Sequence, residues 1–484
     1  MTIYNTLSGK KEPLPKPQPG KPLRLFVCGP TVYDHIHIGN ARAYAVFDTL
    51  VKYLRYLGIK VFYLQNITDV DDKIIARANK EGRNWKAVAS AYAASYKHIL
   101  KKLHLTSVDA YAPATKYIPE IINQVKRLIA RGHAYEIPDD GWYFNLKTFP
   151  DYGKLAKRTV EQAEDGVSRI DASGAKRNRG DFCLWKFSHA KSTPPPKGYG
   201  NTKVPARIIG AEPAWWSPWG WGRPGWHIED TAISEKYFGQ QYDIHGAGRD
   251  LMFPHHEAEI AQQESISGKK PFVKIWMHVG FLTAKGGKKM SKSLGNFITA
   301  PDLLARVHPN VFRFAIAGAH YRSPFEYTTE LESDASRALY SIYEILAKLE
   351  FTKKSGRGDL RFPLQNSEKQ FISAMDDDLN TPKALAAIFD LIGALNQIIW
   401  RITGKDAQNS DKWIREKLKI LGVELETYKT PSKIRALLKK RELLRSNKQF
   451  AGSDALRKEI EALGYKVEDT PLGPLILKKL KNRN

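Results

Sequence analysis

Only two cysteines, Cys28 and Cys183, occur in 484 residues, so no disulfide framework exists and each thiol needs its own explanation, as core packing or as a ligand. Long apolar runs are missing too: no window approaches the roughly 20 residues that a membrane-spanning helix needs. The opening "MTIYNTLSGKKEPLPKPQPGKPLRLFVCGP" also lacks the apolar stretch of a secretory signal. The expectation is a soluble, cytoplasmic protein with no membrane partner. Acid is scarce relative to base. The 76 Lys and Arg against 51 Asp and Glu leave a net charge of +25, which suits a polyanionic partner and equally suits a basic host proteome. What is present is ordinary globular material, 42% apolar and 26% charged, enough for several domains and a large core.

The run "PLRLFVCG" is short, apolar and closed by glycine. "NARAYAVFDTLVKYLRYLG" follows, with Val46, Leu50, Leu54 and Leu57 at helical spacing and Gly58 as its stop, and "KVFYLQNI" reads as a second buried strand. Strand, helix, strand is a parallel crossover unit whose ligand end is the loop after the first strand, "CGPTVYDHIHIGN". From residue 132 to 221, short strand-like pieces such as "GWYFNL" and a Pro/Gly-rich stretch at 191–213 mark an insertion. Helix and strand patterns resume in "KYFGQQYDIHGAGRDLMFPHHEAEIAQQES" and "KIWMHVGFL", so the first domain is split. After Pro301, amphipathic helices such as "SRALYSIYEILAKLEF" and "KALAAIFDLIGALNQIIWRI" dominate. The tail opens with a basic helix, "PSKIRALLKKRELLRSNKQF", and closes with a turn-rich segment; from Glu426 to Asn484, 15 Lys and Arg face seven Asp and Glu. The fold class expected is α/β: a split Rossmann-type parallel-sheet domain with an insertion, then an α-helical bundle and a small basic C-terminal domain.

Three constellations carry chemistry. Gly39 precedes a helix and His37 lies two residues earlier, an arrangement that admits a nucleotide at a helix N-terminus and is equally the mark of a structural turn. "KGGKKMSKSLGN" is a Gly-rich loop with Lys285, Lys288, Lys289 and Lys292, able to bring ammonium groups to a triphosphate. In "FPHHEAEIAQ", Pro254 suits a first helical turn, which sets His255 and Glu259 four apart on one face, with His256 and Glu259 as the rival pair. Cys28, at a strand end, can converge on the same point. "GRPGWHIEDTAIS" crowds His227, Glu229 and Asp230 into four positions, which reads as a metal site, an acid/base pair or a solvated turn.

"FVCGPTVYDHIHIGNARAYAVFD", "NITDVDDKII", "RPGWHIED", "YDIHGAGRDLMFPHHEAEIAQ", "KMSKSLGNF" and "AMDDDLNTPKAL" resemble, in order and spacing, the motifs of the cysteinyl-tRNA synthetase family, one of the class I aminoacyl-tRNA synthetases. The resemblance runs over essentially the full chain. It implies a cysteine–tRNA ligase that turns L-cysteine and ATP (with Mg2+) into cysteinyl-adenylate and pyrophosphate, then charges tRNA(Cys), working as a monomer. It implies one zinc ion, held by Cys28, Asp230, His255 and Glu259 and bound by the substrate thiolate. His37, Asn40, Lys289 and Lys292 would act in catalysis; Gly39, Gly246, Gly248, Asp250 and Lys292 would bind ATP; Gly29, Thr68, Trp226 and His245 would bind cysteine. The domains it implies are 1–131 and 222–300 for the catalytic halves, 132–221 for a connective insertion, 301–365 for a stem-contact region, 366–425 for a helical bundle and 426–484 for anticodon binding. Lys439, Lys440, Arg441 and Arg445 would meet phosphates there. A ligase that joins cysteine to a small amine is the alternative, and the extended basic C-terminus favours tRNA.

Two positions depart from the family pattern. Asn40 stands where the class motif ends in His, and Asp230 stands where the family has cysteine. Shape alone separates cysteine from serine only modestly, whereas zinc prefers a thiolate to a hydroxyl. Asp230 preserves the charge of a cysteine ligand and its oxygen can bind zinc at about 2.0–2.2 Å. One soft ligand is lost, so zinc is expected to be held more loosely.

Overall fold

The computed structural model describes residues 1–158, 173–188, 206–209, 212–283, 297–355, 361–425 and 430–479. Lys285, Lys288, Lys289, Lys292 and most of the stretch 191–213 lie outside these residues. The chain forms two compact units, Met1–Pro301 with Tyr321–Glu326, and Asp302–His320 with Tyr327–Asn484.

Five parallel strands organise the first unit: β1 (Leu23–Val27), β2 (Val61–Ile67), β3 (Ala110–Pro113), β4 (Tyr242–Gly248) and β5 (Val273–Val279), in spatial order β5-β4-β1-β2-β3. β1 and β2 pair Leu25 with Tyr63 and Val27 with Gln65, and β4 takes the other side of β1 with Ile244 opposite Leu25. The chain therefore leaves β1 toward one edge and returns on its opposite flank. The reversal between β1 and β4 creates the crevice where open parallel sheets bind ligands.

Helix α1 (Ile38–Tyr56) makes the first crossover. His37 Nδ1 accepts from the N–H groups of Gly39 and Asn40 at 3.1 and 3.3 Å, and Asn40 Oδ1 accepts from His37 N–H at 3.3 Å, so two side chains satisfy the otherwise open helix start. Val46, Leu50 and Leu54 are buried, each adding about 1.5–3 kcal/mol if fully removed from water. Leu57, expected on the same face, is 38% exposed, because it caps the helix one residue before Gly58 turns away at φ 77°.

The inserted region forms a six-stranded antiparallel sheet in the order Ala134–Ile137, Gly141–Phe144, Phe182–Phe187, Gly220–Pro224, Glu212–Ser217, Ala206–Ile209. Tyr135, Ile137, Tyr143 and Cys183 give it a small apolar cluster of its own. Phe182, Trp185 and Trp215 join Phe26, Leu64 and Trp276 in one continuous apolar cluster, which accounts for much of the tryptophan density in this stretch. Helices α2 (Ile228–Phe238) and α3 (Glu257–Ser267) then flank β4 in sequence. Phe253 is extended at φ −139° and ψ 131°, so helical backbone resumes only at Pro254.

The second unit is mainly helical, with α4 (Thr329–Ser355), α5 (Gln365–Asp376), α6 (Thr381–Ile398), α7 (Gly404–Ile420), α8 (Ser432–Ser446) and α9 (Phe450–Ala462). The basic helix expected through Phe450 stops at Ser446, where Lys448 takes left-handed backbone at φ 59°. The segment expected to be turn-rich is a hairpin, Tyr465–Thr470 with Gly473–Lys478, and Ile434, Ile460, Tyr465 and Val467 make its core with α8 and α9. Arg441 is corrected as a phosphate contact. It is buried, with both terminal nitrogens 2.9 Å from the Asp469 carboxylate, whereas Lys439 and Lys440 remain exposed. Arg445 also donates to Asp469 at 2.9 Å.

Candidate active site

The crevice at the carboxyl ends of β1, β2 and β4 gathers residues from four distant segments. Cys28 follows β1, Thr68 follows β2, Trp226 and Asp230 stand at the start of α2, and His255 and Glu259 stand at the start of α3. Ligand atoms of Cys28, Asp230, His255 and Glu259 all lie within 4.8 Å of one another, and all four residues are buried. His255 Nε2 is 2.9 Å from Glu259 Oε1 and 3.1 Å from Asp230 Oδ2, so the four-residue spacing does bring imidazole and carboxylate together. A second set shares two members: Cys28 Sγ is 3.1 Å from His245 Nε2 and 3.3 Å from His256 Nε2, and with Glu259 these also fall within 4.8 Å.

The electrostatics of this cluster are unbalanced. Burial, reinforced by Glu259 and Asp230, pushes the Cys28 thiol well above its usual range. Burial likewise raises Glu259 to about 8 in spite of His255. Burial opposes charge on His255, but Glu259 and Asp230 outweigh it and push that imidazole up to about 10. His245 and His256 are held neutral by burial and by the other histidines. Asp230 Oδ1 is buried without a hydrogen-bond partner, and the nearest donor to Glu259 Oε2 is His245 Nδ1 at a long 3.5 Å. A dication would supply both the missing charge and the missing partner. One sulfur, one imidazole nitrogen and two carboxylates suit zinc, so the donor set fits that ion.

Outer partners orient the ligands. His227 Nδ1 lies 2.8 Å from His255 Nδ1, which turns His255 Nε2 toward the carboxylates. His256 Nδ1 meets His278 Nε2 at 2.8 Å, and His278 Nδ1 meets Thr6 Oγ1 at 2.8 Å. Trp226 stacks on His255 with centroids 4.4 Å apart, placing its indole directly against the cluster. His245 stacks on Trp276 at 4.5 Å and contacts the Tyr242 hydroxyl at 2.5 Å, so its ring is locked against the thiol.

The glycines have packing reasons as well. A Cβ on Gly29 would lie 1.8 Å from Asn66 O, and Gly29 N–H donates to Asn66 Oδ1 at 2.5 Å. A Cβ on Gly246 would lie 2.3 Å from the Phe47 ring of α1, so this glycine lets the helix seat on the sheet. Gly248 faces Asp250 Oδ1 in the same way, and Asp250 itself is exposed. Thr68 Oγ1 donates to Glu229 Oε1.

At the other end of the crevice, His37 Nδ1 accepts backbone N–H groups, which puts the ring proton on Nε2 and makes that nitrogen the donor. Asn40 spends its oxygen on the cap, so its amide nitrogen is the donor end. Both stems of the lysine-rich loop attach here. Ile38 N–H donates to Ile298 O and Ala300 N–H to Ile36 O, while Arg42 Nη1 donates to Gly280 O and Phe281 O at 2.8 and 3.0 Å. Arg42 went unnoticed in the sequence because an arginine on the apolar face of a helix looks like an interruption. His256, His278 and Glu229 were visible only as members of short His- or acid-bearing strings, with no signal for their facing.

A parallel sheet with its ligand crevice at the switch point, a capped His-Ile-Gly helix start and attached stems of a lysine-rich loop define a class I aminoacyl-tRNA synthetase. Residues 15–204 and 206–337 match the family model of the tRNA synthetases class I (C) catalytic domain, and residues 370–426 match the DALR domain. Solved structures agree on the fold. A methionyl-tRNA synthetase of Mycobacterium tuberculosis in complex with methionyl-adenylate superposes with a TM-score of 0.58 at 14% identity, covering 83% of this chain and 89% of that one. The LeuRS–tRNA–LeuAMS ternary complex of Agrobacterium radiobacter K84 gives 0.61 at 11% identity, covering 84% of each. Among curated relatives, the cysteine–tRNA ligase of Thermoplasma volcanium is 40% identical over 97% of this chain and 98% of its own length. Those of Thermococcus gammatolerans and Caldicellulosiruptor saccharolyticus are 38% and 40% identical, covering 99% of both chains and 98% of both chains respectively. The chain belongs to the cysteine–tRNA ligase family.

Proposed function

We propose that this chain activates L-cysteine with ATP and transfers it to tRNA(Cys), and that the cluster beside Trp226 selects the substrate by its sulfur. The observation that carries the reading is the convergence of Cys28, Asp230, His255 and Glu259 at the switch-point crevice. Cys28, Asp230, His255 and Glu259 would hold a zinc ion, which would supply a thiophilic Lewis acid able to separate a thiol from a hydroxyl. Trp226 walls the pocket, and Thr68 and Gly29 line it on the side of β2.

Activation needs no protein nucleophile. A carboxylate oxygen of cysteine attacks the α-phosphorus of ATP, the bond from that phosphorus to the bridging oxygen breaks, and pyrophosphate leaves with the electron pair. His37 Nε2–H and the Asn40 amide donate to the phosphate oxygens as charge moves onto them, with Lys289 and Lys292 serving the departing pyrophosphate. A ribose hydroxyl of the terminal adenosine of tRNA then attacks the activated carbonyl and AMP leaves. Exposed Lys439 and Lys440 contribute phosphate contacts from α8. Among the described residues no helix is long and apolar enough to cross a membrane.

Cysteine-dependent ATP–pyrophosphate exchange, followed by charging of tRNA(Cys) with serine as control, tests the reading. Exchange and charging with cysteine but not serine are expected. Exchange without charging would point to the small-amine ligase, and neither activity would overturn the assignment.

A further inference from the structure

Resting on the proposed charging of tRNA, we propose that the rim of the crevice beside His37 is a ledge for the unpaired 3′ strand of that RNA. The His35 ring is its stacking surface, and the helices Asp72–Glu81 and Trp85–Lys102 supply its positive charge. His35 is exposed, yet its ring is fixed. Its Nδ1 lies 2.9 Å from Ser95 Oγ, and the ring stands edge-on to Tyr92, with centroids 5.2 Å apart and planes at 81°. Asp34 Oδ1 accepts the His35 N–H at 2.8 Å, and its other oxygen accepts from Arg77 Nη1 at 3.4 Å. An exposed side chain held by two contacts has already lost the freedom that binding would otherwise cost, and it presents an aromatic face to whatever lies on it.

From Asp72 to Lys102 the chain carries eight Lys and Arg against two Asp and Glu, a denser positive charge than that of the C-terminal tail. Both acids are already engaged, Asp72 by Arg223 and Glu81 by Arg77 and Arg83. Lys73, Lys80, Lys86 and Lys97 are exposed, and among the described residues no carboxylate stands within ion-pair distance of any of them. Lys73 lies over the Tyr33 ring at 5.6 Å and Lys97 over that of Tyr111 at 4.9 Å, so cations and aromatic rings alternate along the rim. That mixture suits a single-stranded nucleic acid, whose phosphates take the charge and whose bases stack whatever their identity. The position selects which strand. His35 precedes His37 by two residues, which puts their Cα atoms at most about 7 Å apart, and the helix that bears Lys73 begins four residues beyond Thr68. A strand on this rim therefore ends at the crevice where the adenylate forms. Charging needs the terminal ribose there, and an unpaired end offers its bases for stacking, which a paired stem does not.

The test is binding of intact tRNA(Cys), and of the same tRNA shortened by its unpaired 3′ nucleotides, to the full-length wild type, His35→Ala, His35→Phe and the double variant Lys73→Gln/Lys97→Gln. The wild type is expected to bind the intact RNA more tightly. His35→Ala weakens the intact RNA about 5- to 150-fold, the range for one base stacked on an aromatic ring, and leaves the shortened RNA unchanged, whereas His35→Phe keeps the preference. In charging, the KM for tRNA rises in His35→Ala, while pyrophosphate exchange, which needs no tRNA, keeps its rate. The lysine variant lowers the slope of log affinity against log salt for the intact RNA by about 1.4, at roughly 0.7 for each single-strand phosphate. Equal binding of the two RNAs by the wild type would overturn the proposal, as would intact RNA bound equally by wild type and His35→Ala. Equal weakening of both RNAs, or a fall in exchange, would do the same by marking a residue that only orders the His37 loop. An unchanged salt slope in the lysine variant also overturns it, and this measurement decides the matter should His35→Ala fail to fold. A wild type without cysteine-dependent exchange would overturn the proposed function itself, a result distinct from the others.

Discussion

Replacing Arg42 by methionine should destabilise the first unit by about 3–5 kcal/mol, the loss of roughly two net hydrogen bonds from a buried charged donor. The guanidinium is 1% exposed and donates to four backbone carbonyls: Gly280 at 2.8 Å, Phe281 at 3.0 Å, Ser323 at 2.8 Å and, weakly, Tyr321 at 3.4 Å. Burial lowers its pKa only to about 10, so the group is charged at neutral pH. Each bond from a charged donor is worth about 1.5–3 kcal/mol taken singly, but water entering the vacated space satisfies some of the carbonyls, which holds the total to the lower figure. Methionine fills much of the aliphatic volume and donates nothing. Urea unfolding followed by tryptophan fluorescence isolates the effect, because nine of the eleven tryptophans belong to the first unit. Arg42→Lys should cost less, since an ammonium keeps some of the bonds. A loss below about 1 kcal/mol for Arg42→Met, the net worth of one ordinary hydrogen bond, would refute the clamp.

Asp230→Ala should weaken zinc by more than the roughly 10- to 100-fold that loss of a partner behind a ligand costs, and Asp230→Cys should tighten it; chelator competition read by metal analysis checks both, and full zinc in Asp230→Ala would remove Asp230 from the ligand set. Gly246→Ala sets a Cβ 2.3 Å from the Phe47 ring and should cost about 1–3 kcal/mol, relieved when Phe47→Leu is added, as thermal melts of the single and double variants would report. Burial raises Glu235, but Arg127 and Gln124 bond to it and hold it below the usual carboxylate range. Its folded pKa is depressed, so its contribution is present above the unfolded value near about 4.3 and is lost as pH falls through the folded value; Glu235→Gln should lose stability at pH 7 relative to the wild type, and the gap should close in acid.

Legibility followed the range of the interaction. α1 was readable because its apolar period and its stop, Gly58, lie within one stretch, and the crossover strands were readable for the same reason. Leu57 escaped because periodicity carries no information on where a helix frays. Arg441 escaped because its partner, Asp469, lies on a different element, so a buried arginine and a solvated one look identical in "LLKKRELLRS". The tryptophans of the insertion read as texture until one core was seen to run from Trp215 to Trp276.

By itself the sequence determined the crossover unit, the four-residue spacing of His255 and Glu259 and the chemical types available to the site, since these depend on local periodicity and on side-chain chemistry. Only the tertiary structure decided that Cys28 meets residues some two hundred positions later, that His245 and His256 form a second set around the same thiol, and that Glu229 lies by Thr68. The physical reason is the strand order. Convergence at the carboxyl ends of β1, β2 and β4 depends on which strands lie side by side, and that is settled by the packing of the whole sheet rather than by any one segment.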